Sequence, residues 1–299
     1  MSREFDCVLI DADQIVYSVG FAAKGEPISF VLQTIKNTLD KIQRQCNAKE
    51  RKVFIKGKNN FRTEVAVTDV YKGTRLKEKP AFFHEMYQYM QDHHEAVEAD
   101  GMEADDLVSY MLWNDFIKTG TPESCTLIVS SADKDLKNTP GWHHNPQTGE
   151  IQFYTLEQSN RHFWYQMLVG DKTDNIRGLP YLPYNECIRF NTGSVAYTKG
   201  VGKETAKKIM STTSSSEEAE ELVYELYLHW GLDSLYSERR VRDYITEQGQ
   251  LLWITRELDK DSNPVRFSIN EERYERSRER TEYAGTKDRS STGFESETG

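Results

Sequence analysis

The sequence predicts an α/β fold in which helices flank a mainly parallel central sheet, followed by a C-terminal helical subdomain. Short, wholly apolar segments alternate with amphipathic helical patterns in the first half of the chain, as in sheets that are covered on both faces. Several of these segments end abruptly in aspartates, at the strand ends where open α/β sheets bind their ligands. Beyond residue 200 the periodicity is helical, which indicates a helical region.

Each element follows from apolar periodicity and from the signals at its ends. Cys7–Ile10 is the first buried strand, and apolar residues recur at helical spacing from Ile28 to Ile42. Ser215 and Glu218 form a capping box that begins a helix ending near Gly231. The predicted strands are 7–10, 53–55, 126–129 and 151–154, and the predicted helices are 28–42, 81–93, 103–116, 156–169, 203–209, 215–231 and 237–256.

The composition indicates a well-solvated protein with enough chain for a substantial core. Hydrophobic residues make up 37% and charged residues 29% of the 299 residues. No apolar run reaches the length of a membrane span, and the first ten residues lack a secretory pattern, so we expect a cytoplasmic protein without a membrane partner. The four cysteines stand singly, which favours reduced, structural thiols over a zinc site.

The net charge of −10 argues against a polyanionic partner, but the charge is segregated. Acidic residues recur in small groups, whereas the segment from Lys49 to Lys79 is strongly basic and a second, shorter basic run extends from Lys199 to Lys208. Local patches matter more than the total charge for binding nucleic acid. Basic residues 56–80, with Lys56, Lys58, Arg62 and Tyr71, are therefore expected to contact DNA, although a solvated loop accounts for the same composition.

Carboxylates are concentrated at four places that follow apolar stretches. Glu103, Asp105 and Asp106 fall on the first turn of a helix, where acids also favour the helix dipole. The other groups are Asp11/Asp13, Asp133/Asp135 and Asp171/Asp174. Converging carboxylates repel one another unless cations lie between them, and oxygen ligands of this kind suit Mg²⁺, with Mn²⁺ as a substitute. The sequence therefore predicts a site for two divalent ions.

Two such ions stabilise the attacking and leaving oxygens of phosphodiester hydrolysis. A lysine or arginine from a mobile basic segment would complete charge neutralisation in the transition state. The glycines of Lys199–Lys208 open onto a helix, and such a turn directs backbone N–H groups at a phosphate. Acids at one centre with basic segments on both sides describe a nuclease.

Six motifs, in this order and spacing, resemble those of the 5′-nuclease superfamily. They are Val-Leu-Ile-Asp11, Tyr71-Lys-Gly-Thr-Arg75, Met-Glu103-Ala-Asp105-Asp106, Ala-Asp133-Lys-Asp135, Gly-Asp171-Lys-Thr-Asp174-Asn-Ile-Arg-Gly and Gly200-Val-Gly-Lys203-Glu-Thr-Ala. The resemblance is to the flap endonuclease and 5′→3′ exonuclease family, most nearly its stand-alone bacteriophage members. It extends from Cys7 to Lys208, with a looser match through Arg256, and implies a PIN-like core followed by a helix–turn–helix-type DNA-binding subdomain.

The resemblance implies the following roles. Asp11, Glu103, Asp105 and Asp106 would hold one metal ion, Asp133 and Asp135 would lie between the two ions, and Asp171 and Asp174 would serve the second. Lys72 and Arg75 would contact the scissile phosphate from a helical arch. Lys199, Gly200, Gly202 and Lys203 would hold the duplex backbone, with K⁺ at turn 200–202, while Asp13 would lie behind the ligands. The expected protein is a monomer that cleaves DNA, with RNA–DNA hybrids as a further candidate, in the host cytoplasm if it is phage-encoded.

The implied domains are a nuclease core over 1–178, including an arch at 56–80, a helical subdomain over 179–268, and a disordered tail over 269–299. Two departures from the family stand out. Its members usually carry an aspartate at the end of the second strand, where this chain has Lys56 and Gly57. An insertion, 179–198, also separates the Asp171 motif from the glycine turn.

Two other functions share part of this evidence. Haloacid-dehalogenase-type phosphatases have an Asp-x-Asp like Asp11–Asp13 and a later Gly-Asp motif, but that later motif should follow a strand, and residues 161–169 are predicted to be helical. A DNA-structure-binding protein with a decayed catalytic site would explain the missing acid near Lys56. Metal-dependent turnover of DNA distinguishes a nuclease from both.

Overall fold

The apolar segment Phe5–Asp11 forms β1, at the middle of the sheet in the computed structural model, which describes residues 3–75, 78–192 and 200–291. Two compact units divide the chain. The first consists of residues 1–66, 74–160 and 253–266, and the second consists of residues 67–73, 161–252 and 267–299. Residues 161–178, which were predicted to belong to the nuclease core, group with the second unit.

The first unit is built on a six-stranded sheet of order β3-β2-β1-β4-β5-β6. Every neighbouring pair is parallel except β5 and β6, which confirms the predicted α/β class with a mainly parallel sheet. The remaining strands are β2 (Ala48–Lys56), β3 (Val97–Ala99), β4 (Leu127–Ser130), β5 (Gly141–His144) and β6 (Ile151–Tyr154). Sequence reasoning missed β3 and β5, because each is short and lacks a long apolar run.

Helices of the first unit cover the sheet. They are α1 (Asp13–Ala22), α2 (Ile28–Gln45), α3 (Arg62–Val65), α4 (Phe83–His94) and α5 (Ala104–Thr119), with a 3-10 helix at Asp135–Asn138. Apolar residues of α1, α2 and α4 pack with Val8 and Ile10 of β1, while Val108 and Leu112 of α5 pack with Leu9. Alternate residues of β1 therefore contribute to two different cores, as expected for a strand that is buried on both faces.

The second unit is helical. Its helices are α7 (Tyr184–Arg189), α8 (Lys203–Met210), α9 (Ser216–Asp233), α10 (Glu238–Leu252) and α11 (Glu271–Ser291), and α6 (Leu156–Val169) extends into it from the first unit. The Ser215 side chain accepts a hydrogen bond from the Glu218 N–H at the start of α9, which confirms the predicted cap. In the described residues no helix is both long and apolar enough to span a membrane.

Two predicted regions are corrected. Within the predicted insertion 179–198, residues 184–189 form α7, and residues 193–198 lie outside the described range. The predicted disordered tail is helical up to Ser291 and packs on α9 through buried Tyr274, whose ring meets Tyr224, and through the Arg276–Glu221 ion pair at 2.6 Å. Arg/Glu composition resembles a solvated tail, but alternating charges also match a charged neighbouring helix. All four cysteines are buried, and they form no disulfide bond with one another.

Candidate metal centre and DNA-contacting segments

Asp11, Asp133 and Asp135 come from the C-terminal ends of two neighbouring strands. β1 and β4 pair in parallel with Ile10 opposite Ser130, so the residues that follow them emerge at the same edge of the sheet. The Ser131 hydroxyl donates to Asp11 Oδ2 at 3.2 Å and accepts from the Asp133 N–H at 3.0 Å. Asp133 Oδ1 in turn accepts from the Asp135 N–H at 2.9 Å. Ser131 therefore links the two acidic strand ends.

The third group of carboxylates begins α5. Glu103 is the N-cap residue, and Glu103 and Asp106 form a reciprocal capping box in which the Glu103 N–H donates to Asp106 Oδ2 at 3.1 Å. Asp105 is not part of this box, and adjacent positions on a helix lie about 100° apart around its axis. The prediction of acids in the first turn is confirmed, but Asp106 differs in kind from the other two residues.

Asp106 is fully buried and forms an ion pair with Arg62. The Arg62 guanidinium donates to both carboxylate oxygens of Asp106, at 2.5 and 2.9 Å, and Asp106 Oδ1 also accepts from the Thr255 N–H at 2.9 Å. Burial alone would raise the pKa of Asp106, but the charge and hydrogen bonds of Arg62 hold it below its ordinary value. Four donors bind the two oxygens and fix Asp106 in place; its role as a metal ligand stays a prediction.

The prediction that Arg62 contacts DNA is wrong, because the side chain is buried in its pair with Asp106. Only 1% of its surface is exposed, and it also donates to the Trp253 carbonyl at 2.6 Å. The composition of the basic segment does not indicate that Arg62 is buried. A charge this deeply buried is expected to be paired, and its pairing with Asp106 connects α3 to α5.

Asp11 and Asp105 are buried next to other carboxylates, which disfavours their charged forms. Burial, together with the charges of Asp13 and Asp133, raises the pKa of Asp11 to about 7. Burial and the charges of Glu103 and Asp106 raise the pKa of Asp105 well above its ordinary value. Asp105 Oδ1 is buried and has no hydrogen-bond partner among the described residues. A buried carboxylate oxygen without a donor is costly, and a bound cation would supply the missing partner.

These carboxylates are neighbours without forming a closed ligand sphere. In the described ranges, no three acidic, histidine or cysteine side chains already surround one point closely enough to hold an ion. Adjacent carboxylates repel one another, and a bound cation would draw them together. The donor set consists of oxygens alone, which suits Mg²⁺ or Mn²⁺.

Lys56 and Asp13 meet at the end of β2. Asp13 Oδ1 accepts from the Lys56 N–H at 3.0 Å and from the Tyr87 hydroxyl at 2.8 Å. The Lys56 ammonium lies over the rings of Tyr17, Phe83 and Tyr87, at 4.9 to 5.7 Å from their centroids. Asp13 is thus held by the backbone and a tyrosine, as expected for a residue behind the ligands. The Lys56 ammonium packs on aromatic rings, and its predicted contact with DNA stays a prediction.

Asp171 and Asp174 belong to the second unit, where they lie in a tight loop. The N–H groups and carbonyls of Asp171 and Ile176 pair with each other at 2.7 and 2.8 Å, and Asp171 Oδ1 accepts from the Thr173 N–H at 2.7 Å. A Cβ on Gly170 would lie 2.2 Å from the Ile176 carbonyl oxygen, and Gly170 adopts φ +64°. Only glycine fits there. The loop follows α6, a helix, contrary to the strand that a phosphatase of the haloacid dehalogenase type requires.

Residues 67–73, here called the strap, hold Asp174. The Tyr71 hydroxyl donates to Asp174 Oδ2 at 2.9 Å, and the Lys72 ammonium lies 3.6 Å from the same oxygen. Glu247 accepts from the N–H groups of Val67 and Thr68 at 2.7 and 2.6 Å. The strap is therefore fastened to its own unit at both ends.

This geometry corrects two predictions. Tyr71 is buried, so it does not stack on a base in the described conformation. Lys72 has φ +55° and lies in a turn, so Lys72 and Arg75 do not share the predicted arch helix. Arg75 is exposed and belongs to the first unit.

The predicted glycine turn precedes α8. Gly200 adopts φ +67° and donates its N–H to the Pro180 carbonyl at 3.0 Å, Gly202 is the N-cap residue of α8, and Lys203 is its exposed first residue. Among the described residues, no atom lies within 4 Å of a Cβ placed on Gly202. Lys199 lies outside the described residues. Lys58 is exposed at the end of β2, where its carbonyl accepts from the Gly101 N–H at 3.0 Å.

The chain matches no protein-family model, and no curated protein is detectably similar to it. Several solved structures are similar. The T5 D15 protein co-crystallised with metal ions has a TM-score of 0.42 and 18% identity, over 81% of this chain and 99% of that one. The T5 D15 flap endonuclease in a complex with DNA and metal ions gives 0.44 and 16%, over 83% and 99%. The catalytic core of Rad2 in complex with DNA substrate gives 0.46 and 12%, over 93% and 88%. The similarity is remote in sequence and in backbone path.

Proposed function

We propose that this protein is a metal-dependent nuclease that hydrolyses DNA phosphodiester bonds from 5′ ends, as a 5′→3′ exonuclease with flap endonuclease activity. Its place would be in DNA replication, repair or degradation, with RNA in RNA–DNA hybrids as a further substrate. The observation that carries the proposal is the group of carboxylates at the ends of β1 and β4 and at the start of α5. Buried Asp11 and the orphaned Asp105 Oδ1 fit a divalent cation.

The residues divide into ligands and supports. Asp11, Glu103, Asp105 and Asp106 would hold one ion, Asp133 and Asp135 would lie between the two ions, and Asp171 and Asp174 would serve the second. Divalent ions at such a site supply a nucleophilic hydroxide and stabilise the leaving oxygen. Ser131 fixes Asp11 relative to Asp133, and Asp106 with Arg62 fixes the start of α5. These supports hold the carboxylates of the first unit in place before substrate arrives.

The cationic groups would act on the phosphate. Lys72 would exchange its contact with Asp174 for the substrate phosphate, and Arg75 is exposed. Either charge would be most valuable on the oxygens of the transition state, where negative charge develops. Gly200, Gly202 and Lys203, together with Lys199, would bind the duplex backbone at the start of α8, with K⁺ at the turn. Lys58 offers a further phosphate contact, and the active form would be a monomer.

The test compares duplexes labelled at the 5′ end or at the 3′ end, incubated with Mg²⁺, Mn²⁺ or chelator. We expect early release of the 5′ label, only with metal. Asp105→Asn should abolish cleavage, whereas Asp92→Asn, an exposed carboxylate on α4, should not. Initial loss of the 3′ label, or full activity in chelator, contradicts the proposal. Binding of flapped DNA without turnover would identify a structure-binding protein instead.

A further inference from the structure

The segment Trp253–Arg256 follows α10 and belongs to the first unit, although α10 itself belongs to the second. Its interior is buried: Ile254, Thr255 and Arg256 are each at most 6% exposed. The sequence pattern continued the preceding helix through these residues, but the structure ends that helix at Leu252. Backbone groups outside a helix or strand need other partners when they are buried.

Two backbone groups of this segment close the support around Asp106. The Trp253 carbonyl accepts from Arg62 at 2.6 Å, and the Thr255 N–H donates to Asp106 Oδ1 at 2.9 Å. Ile254, between them, packs with Leu9 of β1, Ala104 of α5 and Leu136 of the 3-10 helix. The segment therefore bonds to α5 and lies in the same apolar cluster as residues of β1 and of the 3-10 helix.

Arg256 connects the segment to the 3-10 helix. Its guanidinium donates to the Asn138 carbonyl, through Nε at 3.0 Å and also through Nη2, and to Asn160 Oδ1 at 2.9 Å. Asn138 is the last residue of the 3-10 helix that begins at Asp135. The guanidinium also lies over the rings of Trp253 and Trp113, at 4.6 and 5.3 Å. In this way Arg256 fixes the far end of the turn that carries Asp133 and Asp135.

An arginine is an expensive residue at this position. Burial lowers the pKa of Arg256 to about 10, and within the described part of the chain no carboxylate forms an ion pair with it. An apolar side chain would fill the space between two tryptophans at lower cost. What the arginine adds is a rigid fork that grips a backbone carbonyl.

We propose, on the basis of the proposed nuclease function, that Trp253–Arg256 is a brace for the metal centre and that Arg256 is a positioning residue for Asp133 and Asp135. Arg256 acts on metal binding through the 3-10 helix and touches neither metal nor substrate. Loss of a group that orients metal ligands typically weakens metal affinity by about 10- to 100-fold.

The experiment measures Mn²⁺ affinity of the free protein by electron paramagnetic resonance, together with the thermal midpoint and the cleavage kinetics. Arg256→Met removes the donors and the charge but keeps the stack on the rings. Arg3→Met is the matched control, because Arg3 also donates to backbone carbonyls, those of Glu123 and Cys125, and lies over two rings. Arg3 precedes β1, whereas Asp11 ends it.

We expect Arg256→Met to weaken Mn²⁺ binding about 10-fold or more, with KM for DNA unchanged at saturating metal. The control Arg3→Met should lose a similar amount of stability but keep the Mn²⁺ affinity of the wild-type protein. Arg256→Lys, which keeps one donor, should be intermediate, and it decides the question if Arg256→Met does not fold. Unchanged affinity in the Arg256 variants, or equal weakening in Arg3→Met, overturns the inference alone. A wild-type protein that binds no Mn²⁺ overturns the proposed metal centre as well.

Discussion

Removing the Arg62 guanidinium should destabilise the protein severely while leaving its affinity for DNA intact. In Arg62→Met, Asp106 stays fully buried but loses its only ion-pair partner among the described residues. Breaking a buried pair in this way costs about 3–5 kcal/mol. The Trp253 carbonyl also loses its Arg62 donor, which adds about 1 kcal/mol. The total is about 4–6 kcal/mol, a large share of the roughly 5–15 kcal/mol by which domains are stable.

The assay combines urea unfolding with DNA binding measured in chelator at fixed salt. Lys58→Met is the matched control, because Lys58 is an exposed cation of the same basic segment. It should change stability by less than about 0.5 kcal/mol, weaken DNA binding and reduce the salt dependence by about one charge. Adding Asp106→Asn to Arg62→Met removes the unpaired charge and should recover part of the lost stability.

The opposite pattern would refute the reasoning. If Arg62→Met loses less than about 1 kcal/mol and weakens DNA binding as much as Lys58→Met does, then Arg62 is a DNA contact after all. Equal destabilisation of Arg62→Met and of the double variant would show that the loss comes from packing and not from an unpaired carboxylate.

Three further outcomes are expected. Lys72→Ala should lower kcat by about 10²-fold with little change in the binding of uncleaved DNA, and a raised KM at normal kcat would make Lys72 an anchor only. The pKa of Asp11 is raised to about 7 in the folded protein, so folding favours the protonated carboxyl. Its contribution to the free energy of unfolding is fully present below the ordinary pKa of 3.8 and is lost as pH rises through 7. The thermal midpoint without metal should therefore fall from weakly acid to weakly basic pH, and Mg²⁺ or Asp11→Asn should remove that fall; a fall that persists in Asp11→Asn assigns it to other groups. Lys56→Asp should lower the Mg²⁺ concentration for half-maximal cleavage, and an unchanged midpoint places residue 56 beyond the influence of the metal.

Sequence reasoning succeeded where the signal is local and periodic. The strand ending at Asp11, the acidic first turn of α5 and the cap at Ser215 depend on neighbours within a few residues, and the structure has all three. Parallel pairing then brings the ends of β1 and β4 together, so the convergence of Asp11 with Asp133 follows from the fold class.

Reasoning from the sequence failed where a distant partner decides the role of a side chain. Arg62 and Lys58 are indistinguishable by composition, yet one is buried on Asp106 and the other is exposed. The partners of Arg62 are 44 and 191 residues away, beyond any periodic signal. Tyr71 was misjudged in the same way, because its acceptor, Asp174, lies 103 residues further along the chain.

The end of β2 shows how packing decides a question that pattern leaves open. Members of the superfamily that the motifs resemble usually carry an aspartate at the end of the second strand. In this chain the corresponding position could be Lys56 or Gly57. A Cβ on Gly57 would lie 1.8 Å from the Ala99 carbonyl oxygen of β3, so no side chain fits at that position. Residue 56 is therefore the one place at this strand end where an acid could stand, and its backbone N–H already holds Asp13. A lysine there keeps that backbone contact and places its charge on aromatic rings, so a lysine in place of an acid changes the charge at this strand end and not the backbone contact that holds Asp13.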